Sequence, residues 1–481
     1  MSTQTVFSVE RRGESRGERK ARRAAERSAL AALSAQTTDV EQEVEDFPLV
    51  KAPRWGRMAD GFWGPAAPKL PSHRVTSLRF GVATPFLAEA GIGNHGAVIG
   101  ADLEAGGLFA MDPWELYRAR HITGPSMLSI GLQGTGKSTT NKAMACRLIA
   151  LGRKVAVASD PRAEWVRVAH AVGGKVIEVG PGRPARLNPL DPGTRPLGIS
   201  DERWESLVTQ RRRQIVATVL SLLRKGAVLT EYEHTALDLA LTRIFATHTE
   251  PTLVHVMEAL LDPAPDARAI VSDHGEPLGL ALRRLVTGDL AGMFDQPSTV
   301  EFDGQAPMLV IDTSALLGGA EEALAIATAC TSAWLDAVVR AGSSDFWLIV
   351  NEEGWSAMRD PKAVELMDAR QRLAGEWGIA NMLIMHELKD LDMVGPEGSP
   401  QRNQALGLMS KAQVKIIHRQ ARETAPLMAS TLGLTKREQE LVTRLEQGVA
   451  LWKIGAKSFL VQTQLTDGEM AVFNTDAKRA G

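Results

Sequence analysis

The chain has 481 residues, with 55 Lys and Arg against 57 Asp and Glu. The length allows one large domain with appendages or two to three domains of ordinary size. Because the net charge is near zero, composition alone does not indicate a nucleic-acid binder. The two cysteines, Cys146 and Cys330, lack disulfide or metal-binding spacing, which indicates buried thiols in a reducing compartment.

Residues 1–46 are predicted to form a disordered charged tail. Arg11 to Arg27 alternates Arg and Lys with Glu and has almost no large apolar residues, so it cannot form a core. A solvated tail is favoured, with contact to nucleic acid or acidic lipid as the alternative. No secretory signal follows Met1, and the apolar window Leu324 to Val339 is shorter than the roughly 20 residues of a membrane span. We therefore expect any association with a membrane to be peripheral.

Residues 47–125 are rich in proline and glycine and are predicted to form a short β-rich segment. Apolar runs at Ala97 to Ile99 and Leu108 to Ala110 lie between turn-forming residues. We expect these strands to pack onto the domain that follows.

Residues 126–457 alternate between strand-like and helical patterns, which predicts an α/β domain with a mostly parallel sheet covered on both faces. Residues 200–290 are helical in pattern and are interpreted as an insertion into that domain. Residues 458–481 are interpreted as a C-terminal β-hairpin and tail, with its turn at Thr466-Asp467-Gly468. The predicted strands are Met127 to Ile130, Val155 to Ser159, Val176 to Val179, Met308 to Ile311, Phe346 to Val350, Met382 to Met385 and Val414 to Ile417.

The strongest motif is Gly131-Leu-Gln-Gly-Thr-Gly-Lys-Ser138, a full match to the phosphate-binding P-loop. A short apolar strand precedes it and a helix follows, so backbone N–H groups can converge on phosphate oxygens at a helix N-terminus. Lys137 is predicted to reach the β- and γ-phosphates, Ser138 to bind Mg²⁺, and Thr139 to contact the α-phosphate. The predicted ATP-binding residues are Gly131, Gly134, Thr135, Gly136, Lys137, Ser138 and Thr139.

A P-loop enzyme needs a carboxylate at the end of a neighbouring strand to hold Mg²⁺, and a second to orient water. Glu352 and Glu353 follow the strand that ends at Val350. We predict that Glu352 contacts a metal-bound water and that Glu353 is the general base. Asp312, at the end of another strand, is the alternative, although its sequence context also suits a capped turn.

Further polar residues follow other strands. His386 comes directly after Met385, where it could sense the γ-phosphate or merely make a hydrogen bond. Asp160 ends the strand after the P-loop helix, and there a functional and a turn-forming role are equally compatible with the sequence.

Ring motors usually receive an arginine from the neighbouring subunit, because a cation must neutralise charge that develops on the γ-phosphate. Arg370 and Arg372 lie between the Glu pair and His386, and Arg419 follows the next strand. We predict Arg370 or Arg372 for this role, against the alternative of ordinary surface ion pairs.

An ordered series of segments resembles conjugal-transfer ATPases of the HerA/FtsK superfamily, the cytoplasmic motors of type IV secretion and conjugative pilus assembly. The resemblance covers about Gly91 to Asp476. The segments are Gly96 to Tyr117, the P-loop, Asp160-Pro161 with Glu164, Leu187-Asn188-Pro189 with Asp191, Leu290 to Asp295, Val310 to Asp312 with Ser314, Glu352 to Trp355, His386 with Asp390-Leu391, and Gly448 to Trp452.

The resemblance implies a RecA-like P-loop NTPase with a mostly parallel sheet, a helical insertion and short flanking β segments. It also implies a hexameric ring that binds ATP and Mg²⁺ between subunits and moves pilin, protein or DNA. The location implied is cytoplasmic, with peripheral association at the inner face of the cell membrane, where the ring docks on membrane-associated secretion components. Two features depart from the family pattern: Glu352 replaces the usual Asp, and the region before the P-loop is shorter. The alternatives are a DNA-pumping coupling ATPase, which usually carries N-terminal membrane helices, and a nucleotide-gated assembly scaffold with little turnover.

Overall fold

The computed structural model describes residues 92–93, 96–193, 195, 199–265, 268–300, 305–317, 321–339, 346–352, 364, 378–386, 391 and 394–473. Its strands are β1 (Ala97–Asp102), β2 (Leu108–Met111), β3 (Ser126–Ile130), β4 (Lys154–Asp160), β5 (Lys175–Glu178), β6 (Met308–Asp312), β7 (Trp347–Asn351), β8 (Ile379–Met385), β9 (Val414–Ile417), β10 (Val449–Ile454) and β11 (Lys457–Thr463).

The described α-helices are α1 (Pro113–Arg118), α2 (Lys137–Ala150), α3 (Val166–Ala171), α4 (Asp201–Leu223), α5 (Glu231–Thr247), α6 (Leu253–Leu261), α7 (Arg268–Val286), α8 (Glu321–Val339), α9 (Pro400–Ser410), α10 (Ala425–Leu432), α11 (Lys436–Val442) and α12 (Asp467–Phe473). Within this part of the chain, no helix combines the length and the apolar character needed to cross a bilayer.

All described strands join one sheet in the order β2-β1-β11-β10-β9-β3-β8-β7-β4-β6-β5. Neighbours from β9 to β5 run parallel. Neighbours from β9 to β2 run antiparallel. The predicted mostly parallel sheet is confirmed, and the strands at Ala97 and Leu108 pair into the same sheet rather than packing onto its face.

Side-chain alternation explains why both faces of the sheet are covered. On β7, Leu348 and Val350 belong to the core that contains α2, whereas Trp347 and Ile349 belong to the core beneath α8 and the helices of residues 201–286. Burying each such side chain contributes roughly 1.5–3 kcal/mol. The parallel strands are therefore apolar on both faces, as expected for a sheet between two helical layers.

The helical segment between β5 and β6 consists of α4 to α7, so the predicted insertion is confirmed as four described helices. Two successive arginines of α4 donate hydrogen bonds to backbone carbonyls of the segment that precedes this helix. The Arg212 side chain donates to the carbonyl of Leu190 at 2.7 Å, and Arg211 donates to the carbonyl of Asp191 at 2.7 Å.

The predicted hairpin around Thr466-Asp467-Gly468 is wrong. The hairpin lies earlier, where β10 turns into β11 between Ile454 and Lys457, and residues 467–473 form α12. Thr466 and Glu469 form a reciprocal cap: the Thr466 N–H donates to Glu469 at 2.9 Å and the Glu469 N–H donates to Thr466 at 3.2 Å. Such a cap stabilises a helix start, so the residues read as a turn begin a helix instead.

Candidate nucleotide-binding site

The P-loop connects β3 to α2 at the centre of the sheet. β3 ends at Ile130, and α2 begins at Lys137 with its first backbone bond from the Thr140 N–H to the Gly136 carbonyl at 2.9 Å. Gly136 has a φ of 92°, which favours glycine because a β-carbon is strained there. The loop thus presents a helix N-terminus, where free N–H groups and the helix dipole suit an anion.

Neighbouring segments hold the P-loop backbone tightly. A β-carbon on Gly131 would lie 2.5 Å from that of His418, the residue after β9. A β-carbon on Gly136 would lie 2.8 Å from the nitrogen of Gly448, whose N–H donates to the Thr135 carbonyl at 2.9 Å. These close approaches leave no space for side chains at either P-loop glycine. Burial, and then the nearby Lys137 charge, lowers the pKa of His418 to about 3, so its ring is neutral.

Lys137 is buried, with 4% of its surface exposed. Its Nζ donates to the Met385 carbonyl at 2.7 Å and lies 2.8 Å from Nδ1 of His386. This contact follows from sheet register, because Ile130 at the end of β3 pairs with Met385 at the end of β8. The predicted phosphate-binding lysine and the predicted sensor are therefore in direct contact.

Glu352 directly follows β7, which is the neighbour of β8. Its Oε2 atom is enclosed, and no described residue gives it a hydrogen bond. Burial, followed by the charges of Glu164 and Asp160, raises the pKa of Glu352 to about 7. A buried carboxylate oxygen without a donor next to a P-loop fits a site that receives a hydrated divalent cation.

Asp160 and Asp312 both bond to backbone groups of their own turns. Asp160 accepts the Glu164 N–H at 3.0 Å and the Trp165 N–H at 2.7 Å, and burial raises its pKa to about 6. Asp312 accepts the Ser314 N–H at 2.8 Å, which is the capped turn that its sequence suits. Asp160 lies at the end of β4, next to β7, and its charge acts on Glu352.

Three predicted residues, Glu353, Arg370 and Arg372, lie outside the described residues. Arg419 is described: its carbonyl accepts the Leu132 N–H at 3.1 Å and its side chain is exposed. Ser138 and Thr139 are half-buried in the first turn of α2.

No protein-family model matches the sequence, and no curated protein matches it. Solved structures do match. VirB4 of Thermoanaerobacter pseudethanolicus is similar over 79% of this chain and 100% of that chain, with a TM-score of 0.63 and 21% identity. The plasmid coupling protein TrwB, solved with the ATP analogue ADPNP, is similar over 84% of this chain and 96% of that chain, with a TM-score of 0.51 and 15% identity.

This chain has the fold of those two proteins. The RecA-like P-loop architecture expected from the ordered motifs is thereby confirmed. At these identities the likeness concerns the fold, and the roles of individual residues rest on the site itself.

The ion pair between Lys142 and Glu164, close to the P-loop, is not predicted by the sequence pattern. Lys142 of α2 has a side chain only 1% exposed, and its Nζ lies 3.1 Å from Oε2 of Glu164. Lys142 lies one helical turn after Ser138, which places the two on one face of α2. This spacing indicates that Lys142 lies close to the site. It is a weak indication, because a lysine in a helix is ordinarily exposed.

Proposed function

We propose that this protein is an ATP-hydrolysing motor of conjugative type IV secretion that works as a ring with ATP bound between subunits. The observation that carries the proposal is a complete P-loop whose lysine contacts His386 while Glu352 follows a nearby strand of the same sheet. The fold shared with VirB4 and TrwB supports the conjugative role. The ring is expected to be a hexamer that associates peripherally with membrane components of the secretion machine and moves pilin, protein or DNA.

Different residues of the site would bind the phosphates and the metal ion. The P-loop N–H groups of Gly134 to Thr139 would bind the phosphates, and Lys137 would leave the Met385 carbonyl to bind the β- and γ-phosphates. Ser138 and Glu352 would hold Mg²⁺, the Glu352 carboxylate through a bound water. The metal ion supplies positive charge that offsets the charge developing on the transferred phosphoryl group.

Hydrolysis requires a base and a cation beyond the P-loop. Glu353 would accept a proton from the water that attacks the γ-phosphorus, while the bond to the ADP oxygen breaks. His386 would report the γ-phosphate, since it contacts the lysine that binds this group. Arg370 or Arg372 of a neighbouring subunit would neutralise the remaining charge.

The two acids after β7 should have separable effects. Glu353→Gln is expected to trap bound ATP and to lower turnover by ~10²–10⁴-fold, because the amide keeps the shape but cannot accept a proton. Glu352→Gln should instead raise the Mg²⁺ concentration needed for nucleotide binding. Single-turnover hydrolysis and Mg²⁺ titration of a fluorescent ATP analogue measure the two effects. Trapping by Asp312→Asn but not by Glu353→Gln would show that the base lies on β6.

A DNA-pumping coupling ATPase is the second candidate, because TrwB, described as a plasmid coupling protein, shares the fold. Strong stimulation of ATP hydrolysis by DNA would favour it over a pilus-assembly motor. A nucleotide-gated scaffold is the third candidate, since Glu352 is longer than the usual Asp and would hold a metal-bound water in a different position. A wild-type protein that binds ATP with Mg²⁺ but fails to complete one turnover would favour the scaffold.

A further inference from the structure

Lys142 is a buried cation that the proposed mechanism does not use. Its side chain is 1% exposed, and it points from α2 to the Glu164 carboxylate, which is 23% exposed. A buried ammonium costs several kcal/mol unless it is paired. The burial of Lys142, which lies on the same face of α2 as Ser138, therefore depends on its pairing with Glu164, and the role of Glu164 is the question.

The backbone of Glu164 is also held in place by a hydrogen bond. Its N–H donates to Oδ1 of Asp160 at 3.0 Å, so the turn after β4 is fixed to the end of that strand. Its carboxylate is then anchored by Lys142 at 3.1 Å. Glu164 is thus a carboxylate with a defined position, supported from two elements of the fold.

The position of this ion pair in the fold links it to Glu352. β4, which ends at Asp160, pairs with β7, and Glu352 comes directly after β7. Lys142 lies one helical turn after Ser138 on α2. The Lys142–Glu164 pair therefore joins the P-loop helix to the end of β4, next to the strand that precedes Glu352.

We infer that Glu164 is a further positioning residue for the hydrated Mg²⁺ of the ATP site, and that Lys142 holds its carboxylate in the required place. This inference rests on the proposed function. The Glu164 carboxylate would accept a hydrogen bond from a water bound to the ion. Lys142 acts through Glu164 by fixing its orientation.

The direction in which Lys142→Met changes Mg²⁺ affinity distinguishes a positioning role of Lys142 from an effect of its charge alone. A cation beside a metal site weakens metal binding by repulsion, so Lys142→Met would tighten Mg²⁺ binding if charge alone mattered. If Lys142 positions Glu164, the same substitution loosens Mg²⁺ binding. Outer partners of this kind typically change metal affinity by about 10–100-fold.

The test measures the Mg²⁺ concentration for half-maximal binding of a fluorescent ATP analogue to the full chain, together with the melting temperature. Glu164→Gln and Lys142→Met should each raise that concentration by about 10-fold or more. The double variant should be no worse than either single variant, because both act through one carboxylate. Lys142→Arg should keep most of the wild-type response.

A second ion pair on α2 supplies the matched control. Arg147, near the other end of the helix, binds Glu469 with nitrogen–oxygen distances of 2.8 and 2.7 Å. Glu469→Gln should lower the melting temperature and leave the Mg²⁺ response unchanged.

Two results would overturn the inference: variants of the Lys142 pair that lose only melting temperature, or a Lys142→Met protein that binds Mg²⁺ more tightly. If the wild-type protein binds the nucleotide with Mg²⁺, either result rejects the role of the pair and leaves the proposed function standing. A wild-type protein that binds no nucleotide rejects both.

Discussion

Lys137→Ala should abolish ATP hydrolysis and weaken nucleotide binding while the chain still folds. Removing one preorganised donor to the reacting group typically costs about 10²–10³-fold in rate, and this ammonium also contributes a full charge. The Lys137 side chain is 4% exposed and bonds to Met385, so its loss also leaves the Met385 carbonyl without this donor, at a cost of about 1–3 kcal/mol. A lower melting temperature is therefore expected together with the loss of activity.

The measurement is steady-state phosphate release, with nucleotide affinity and thermal unfolding recorded on the same samples. Lys436→Ala is a suitable control, because this exposed lysine at the start of α11 removes the same charge away from the P-loop. Unchanged turnover in the folded Lys137→Ala protein would reject the phosphate-binding role of the loop.

Mixed rings should recover activity that neither parent has. Arg370→Ala or Arg372→Ala chains are expected to bind ATP normally and to hydrolyse it ~10³–10⁵-fold more slowly, the contribution of an arginine supplied in trans. Lys137→Ala chains are expected to be inactive for the separate reason that their own P-loop fails. In a mixed ring, some interfaces combine an intact P-loop with an intact arginine from the neighbour.

The mixing experiment compares phosphate release by the two variants alone and together at constant total protein. Sizing or light scattering on the same mixture establishes that mixed assemblies form. Each variant mixed with itself controls for concentration. Absence of recovery in mixed rings that have formed would mean that neither arginine acts across the interface.

The parts of the site found from sequence are those encoded locally. The P-loop is a contiguous motif between a strand and a helix, and the apolar runs before Glu352 and His386 are strands whose ends meet at one edge of the sheet. Parallel topology brings these ends together without further information, because the carboxyl ends of parallel strands lie on one side. For this reason the sequence predicts His386 as a possible γ-phosphate sensor close to Lys137, and the structure shows the two side chains in contact.

The parts missed depend on packing between distant segments. Lys142 and Glu164 come from different elements, and nothing in the local pattern indicates that the lysine is buried. The contact between Gly448 and the P-loop depends on how β10 joins the sheet. The wrong prediction of a C-terminal hairpin has a local cause instead. The sequence Thr466-Asp467-Gly468 suits both a turn and a capped helix start, and the hydrogen bonds between Thr466 and Glu469 favour the helix.

The measurement that tests the account most directly is ATP hydrolysis per chain as a function of protein concentration, at saturating ATP and Mg²⁺. A site shared between subunits predicts low specific activity in dilute protein and a cooperative rise as the ring assembles, parallel to the assembly seen by light scattering. Full specific activity in a dilute monomer would contradict the shared site, and no hydrolysis at any concentration by assembled rings would contradict the motor.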